Sequence, residues 1–125
     1  YKLKPEIGEF RYQLAFSKQT YGDVEEAKTL YREMAADSSE YYVLRGLFHQ
    51  GWIHHFVENN ADSAIYFYES ALKSEPRYVE AWHNLGMCYD AKGEKTQALK
   101  SFSKALKYDP NFELSRNYAD SIRFL

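Results

Sequence analysis

The chain has 125 residues, enough for one domain with a proper core and hardly for two. Its 16 Lys and Arg are interspersed with 18 Asp and Glu for a net charge of −2, which sets aside proteins that grip nucleic-acid phosphates with a basic stripe. One cysteine, Cys88, excludes an intrachain disulfide and a Cys-rich zinc module, and no apolar run approaches the roughly 18–20 residues that insert into a membrane.

A lone thiol suits a reducing cytoplasm, slightly favoured, and does not exclude export. No signal peptide is visible, and an opening Tyr1 in place of Met reads as a fragment of a longer chain.

The first predicted helix starts near residue 8 and carries Leu14 and Ala15. Gly22 ends it, because glycine tolerates left-handed dihedrals, and Asp23 is a good N-cap for the next helix. There Ala27, Tyr31 and Met34 stand four and three apart, on one helical face. The small residue admits a neighbouring helix and the aromatic fills the space one turn on.

The third predicted helix is apolar nearly all round, with Leu44, Leu47, Phe48, Trp52, Ile53 and Phe56, as a helix buried mid-stack should be. It contains the stretch HQGWIHHF. At 100° per residue, His49, His54 and His55 point in three directions. Chelation from one helix wants an i, i+4 pair, and neither that pair nor an adjacent Cys or carboxylate is present, so no metal or other cofactor is expected. His55 is expected to pack in the core and His54 to be solvated. Asn59 then punctuates as Gly22 does, Ala64, Tyr68 and Ala71 repeat the spaced triplet, and Glu75–Pro76 closes the unit.

The clearest unit follows. EAWHNLGMCYDAKG places Trp82, Leu85, Gly86 and Tyr89 on one stripe; Gly93, then Ala98, Phe102 and Ala105, then Asp109–Pro110 complete it. Ala98 lies 34 positions after Ala64, and Ala64 lies 37 after Ala27, so a repeat is present with three extra residues assigned to the first connection. In the tail, Leu114, Tyr118, Ile122 and Leu125 form an amphipathic stripe. That helix either caps the stack or starts a fourth unit, and the apolar Leu125 favours the second.

Trp82, Leu85, Gly86, Tyr89, Ala98, Phe102, Ala105 and Pro110 together resemble a complete tetratricopeptide repeat. The second unit keeps Phe48, Ala64, Tyr68, Ala71 and Pro76, but has Gly51–Trp52 where leucine and a small residue are expected and His55 where tyrosine is usual. The first keeps Leu14, Ala15, Gly22, Ala27 and Tyr31, with Arg11 and Lys18 at aromatic positions and no closing proline. The resemblance implies an all-α, right-handed superhelix (solenoid) of about seven antiparallel helices. Its repeats are expected at about 8–41, 45–78 and 79–112, with a last helix over 112–125.

In that family the first helix of each repeat lines a concave groove. Carried over, the groove residues are Tyr12, Gln13, Phe16 and Gln19, then His49, Gln50, Ile53 and Phe56, then His83, Asn84, Met87 and Asp90. The resemblance implies a non-catalytic interaction module, an adaptor or scaffold, that takes a peptide or partner protein with apolar anchors. Relatives that clamp acidic chaperone C-termini carry lysine, arginine and asparagine in the groove. Only Asn84 matches, with Tyr12, His49 and His83 at the basic positions, so such a clamp is not expected. Protonated imidazoles would still draw an acidic peptide, and groove affinity is expected to strengthen as pH falls toward 6.

No Gly-rich phosphate loop, nucleophile elbow or convergent acid pair appears, and Cys88 sits in a core helix without a cationic neighbour, so enzyme chemistry is not expected. Two alternatives remain. One is self-assembly through the end helices, with Ile122, Phe124 and Leu125 pairing with Tyr1, Ile7 and Phe10. The other is an accessory part of a larger enzyme. RNA-reading helical repeats fit less well, given the closing prolines and the absence of basic excess.

Overall fold

The computed structural model describes residues 5–37 and 39–123, with side chains from Gly8 onward. Tyr1, Phe124, Leu125 and the side chain of Ile7 lie outside the described residues. Seven α-helices follow in chain order: α1 (Pro5–Thr20), α2 (Val24–Ala35), α3 (Glu40–Trp52), α4 (Ala61–Ser74), α5 (Val79–Ala91), α6 (Lys95–Tyr108) and α7 (Glu113–Arg123). A π-helical turn, Ile53–Val57, runs on from α3 without a break. Each helix packs on the next, giving the all-α stack expected.

The turns inside the units share one device. Gly22, Asn59 and Gly93 have φ of 90°, 53° and 78°, the left-handed region expected at all three. After each, a backbone N–H reaches back across the helix end: Asp23 to the Lys18 carbonyl, Glu94 to that of Tyr89, and Asn60 to that of His54. The last closure spans one residue more than the others. Asn60 caps α4 by accepting from the Ser63 N–H at 3.1 Å, whereas the Asp23 side chain makes no cap and lies 3.9 Å from Lys18 Nζ.

A small residue beneath an aromatic ring builds the core of each unit. Ala15 and Tyr31 share one buried cluster. A Cβ on Gly51 would come within 2.8 Å of the Tyr68 ring, and one on Gly86 within 2.7 Å of Phe102. Tyr31, Tyr68 and Phe102 are fully buried, each removing apolar surface that stabilises by about 1.5–3 kcal/mol. Ala15 stands sixteen residues before its ring and Gly86 sixteen before its own, but Gly51 stands seventeen before Tyr68. The π turn supplies the extra residue.

This corrects the placement of the three additional residues. They do not lengthen a connection. α3 is 13 residues long, as α5 is, but continues for five more through the π turn, while α2 has 12 residues against 14 in α4. Gly51, and not Trp52, is therefore the small residue of the second unit.

The last helix is also shifted from its expected face. Ser115, Ala119 and Ile122 are buried, and Leu114 is 56% exposed. α7 enters its place as α5 does. Trp82 Nε1 donates to the Pro76 carbonyl at 2.7 Å, and Arg116 Nη2 to the Pro110 carbonyl at 2.6 Å, six residues back in both cases.

Candidate functional site

A cavity of about 700 Å³ opens on the face formed by α1, α3, α5 and the approach to α7. Its wall is mostly aromatic and aliphatic: Phe16, Phe48, Trp52, Phe56, Phe112 and Leu114. Phe16, Phe56 and Leu114 are about half exposed and form the rim. Polar lining comes from Gln19, Thr20, His49, Glu80, His83 and Asn84.

The phase of α3 decides which residues arrive there. Phe48, Trp52 and Phe56 are four apart, and the wider π turn keeps Phe56 on the same side as the other two. Gln50 and Ile53, expected in the groove, point elsewhere. Gln50 is buried and donates from Nε2 to its own helix at the Gly46 carbonyl, and Ile53 is fully buried with Ala15, Ala27, Tyr31 and Met34.

His49 forms part of the floor. It stacks on Tyr31 with ring centroids 4.7 Å apart and meets Phe16 and Phe48 edge-on. Its Nε2 and the Tyr12 hydroxyl share a hydrogen bond of 3.0 Å, while its buried Nδ1 has no partner among the described residues. Burial first, and the Arg45 guanidinium second, push its pKa down to about 4. His83 is buried among Phe102, Phe112 and Tyr118, shares a 2.7 Å hydrogen bond through Nδ1 with the fully buried Ser115 hydroxyl, and is also lowered by burial. Burial therefore works against the protonation on which the expected gain of affinity near pH 6 relies. Desolvation opposes the charged form of both.

The other two histidines of the stretch separate as well. His54 lies 2.7 Å from a Glu58 carboxylate oxygen and stacks on Phe67, so it is paired and not simply solvated. His55 packs against Phe56 and Tyr68, and its Nδ1 shares a 3.1 Å hydrogen bond with the Tyr68 hydroxyl. Among the described residues no three His, Cys, Asp or Glu side chains gather to hold a metal ion. Cys88 is fully buried, and burial pushes its thiol pKa up to about 12, which leaves no nucleophilic thiolate at neutral pH.

Of the twelve residues carried over to the groove, Phe16, Gln19, His49, Phe56, His83 and Asn84 line one cavity. Gln19 accepts a hydrogen bond from the buried Tyr31 hydroxyl at 2.8 Å, and Asn84 Nδ2 donates to the Tyr68 hydroxyl at 3.4 Å, so core rings orient both amides. Tyr12 and Gln13 border a smaller hollow beside Phe16. Met87 is spent on the cluster that holds α7, with Ala119 and Ile122, and half-buried Asp90 lies outside the cavity at the end of α5. Sequence reasoning missed Phe48, Trp52, Phe112, Leu114, Thr20 and Glu80. Reading Gly51 as the small residue of its unit would have brought the first two into the groove.

The family model for the tetratricopeptide repeat matches residues 79–112, which span α5 and α6. Among curated relatives, the chain is 39% identical over 66 residues to the chloroplastic tetratricopeptide repeat domain-containing protein PYG7 of Arabidopsis thaliana, covering 53% of this chain and 22% of that one. The chain spans about a fifth or less of the curated relatives it matches.

Among solved structures, the Yersinia enterocolitica type III secretion chaperone SycD, in complex with a peptide of the translocator YopD, superposes with a TM-score of 0.85 at 19% identity, over 98% of this chain and 97% of that one. Pseudomonas aeruginosa PcrH gives a TM-score of 0.80 at 15% identity over 97% and 95%. These likenesses show the fold, a right-handed helical-repeat superhelix. Residues 79–112 thus match a tetratricopeptide repeat, and the two units before them share its core of a small residue beneath a ring.

Proposed function

We propose that this chain is a non-catalytic protein–protein interaction module that receives an extended segment of a partner protein on its concave face. The observation that carries this is the 700 Å³ cavity with an aromatic wall and half-exposed Phe16, Phe56 and Leu114 at its rim. Its volume lies within the roughly 300–1,000 Å³ of binding pockets, and its few polar groups are fixed by the core. An apolar side chain of the partner enters between Trp52 and Phe112, the rim rings cover it, and the Gln19 and Asn84 amides meet its backbone. Support comes also from the fold neighbour SycD, itself solved with a peptide of the translocator YopD.

Selection from a phage-displayed library of random dodecapeptides tests the reading. The expected winners carry spaced aliphatic or aromatic residues, bind the native chain, and lose binding at least tenfold to a folded Phe16→Glu/Phe56→Glu variant. No enrichment, or equal binding to the variant, overturns it. A molar mass that rises with concentration and is unaffected by the same variant would instead favour self-assembly.

A further inference from the structure

Of the twelve residues that line the concave cavity, Glu80 is the one acid, and none is a lysine or an arginine. It stands in the first turn of α5, where the helix N-terminus favours a carboxylate. It is exposed, and among the described residues its side chain forms no ion pair. The cations close to it along the chain or across the stack are engaged with tyrosines. Arg77, three residues before it, lies 5.7 Å from the Tyr108 ring centroid. Arg45 donates from Nη1 to the Tyr78 hydroxyl at 2.9 Å and lies 4.8 Å from the Tyr41 ring centroid.

The rest of the lining offers no positive charge. Gln19 and Asn84 are amides, and burial opposes protonation of His49 and His83. An acidic segment would therefore meet like charge at Glu80 and no cation elsewhere in the cavity. A carboxylate beside aromatic walls suits the opposite kind of side chain. Lysine and arginine lay their methylene stems along apolar surface, hold the charged head at an anion, and are attracted to ring faces. Trp52, Phe56 and Phe112 supply such rings in the same cavity as Glu80.

We propose that the segment received in the cavity carries a lysine or arginine beside its apolar anchor, that this side chain runs along the rings to pair with Glu80, and that Glu80 thereby selects against acidic segments. Charge complementarity chooses this occupant. The proposal rests on the reading of the cavity as a peptide site and adds the partner's charge to it. Its sign is opposite to the preference drawn from protonated imidazoles.

The test repeats the dodecapeptide selection on the native chain and on Glu80→Gln. One fluorescein-labelled native winner is then made with Lys, Gln or Glu beside its anchor and titrated by anisotropy at low salt. Native winners should be enriched in Lys or Arg at that position, and winners from Glu80→Gln should not. The native chain should hold the Lys peptide about fivefold more tightly than the Gln peptide, with the difference shrinking as salt rises. Glu80→Gln should hold these two alike, and Glu80→Lys should prefer the Glu peptide. Equal binding of the Gln peptide by all three proteins shows that the variants are folded. Apolar winners without basic enrichment, or a Lys preference that persists in Glu80→Gln, overturn the role of Glu80 and leave the peptide site standing. No winners at all overturn both.

Discussion

His49 ties the stability of the fold to pH in a direction opposite to that of a histidine that gains an acidic partner on folding. Burial depresses its pKa from 6.5 to about 4. Above pH 6.5 the ring is neutral in both folded and unfolded chains, and the full stability is present. Between 6.5 and 4 the unfolded chain binds a proton that the folded chain refuses, so stability falls as pH falls, by about 1.4 kcal/mol per unit. The whole window is worth about 3 kcal/mol, of which about 2 is lost by pH 5. The informative variant is His49→Phe, which keeps a ring against Tyr31 but cannot titrate. It should unfold in urea more easily than the native chain at pH 7, because the Tyr12 hydroxyl loses its partner. That deficit should shrink by about 2 kcal/mol at pH 5. In parallel, the His49 ring resonances of the native chain should not move between pH 8 and 5.5. A midpoint for His49 above 6, or a deficit independent of pH, would refute the burial argument.

Glycine substitutions should rank by what stands opposite. A Cβ on Gly46 would meet the Tyr31 carbonyl oxygen at 2.5 Å and the Ala35 nitrogen at 2.6 Å, both backbone, so Gly46→Ala must part α2 from α3 and should cost about 3 kcal/mol; Gly51→Ala meets side chains, the Tyr68 ring and the Phe67 Cβ, and should cost about 1–2, as measured by urea midpoint. Cys88 should resist a thiol-specific reagent in the native chain at pH 8 and react fully in denaturant; fast labelling of the folded chain would contradict its burial. Asn60→Ala removes the cap on α4 and should cost about 1 kcal/mol, while Asp23→Ala, with no cap bond to lose, should cost less in the same assay.

The residues that determined the fold are local. Gly22, Asn59 and Gly93 need only their own backbone freedom to reverse the chain, and the Ala27, Ala64 and Ala98 triplets need only helical spacing to present one packing face. These features are legible without tertiary information, and so are the turns closed by Pro76 and Pro110. The phase of α3 is different in kind. The three additional residues are visible as a count, but an α-helix and an α-helix with a π turn share the same local sequence preferences. Only the close contact between Gly51 and Tyr68 decides where the extra residue goes, and that decision moves Phe48 and Trp52 into the cavity and Gln50 and Ile53 out of it.

Depth was hidden for the same reason. Helical spacing gives the side of the helix on which His49 and His83 stand, and both line the cavity. Whether such a ring meets water depends on side chains far along the chain, Tyr12 and Tyr31 for one and Phe112, Ser115 and Tyr118 for the other. Sequence periodicity reports direction around a single helix axis. Burial, and with it the charge state of an imidazole, is a property of what the neighbouring helices bring.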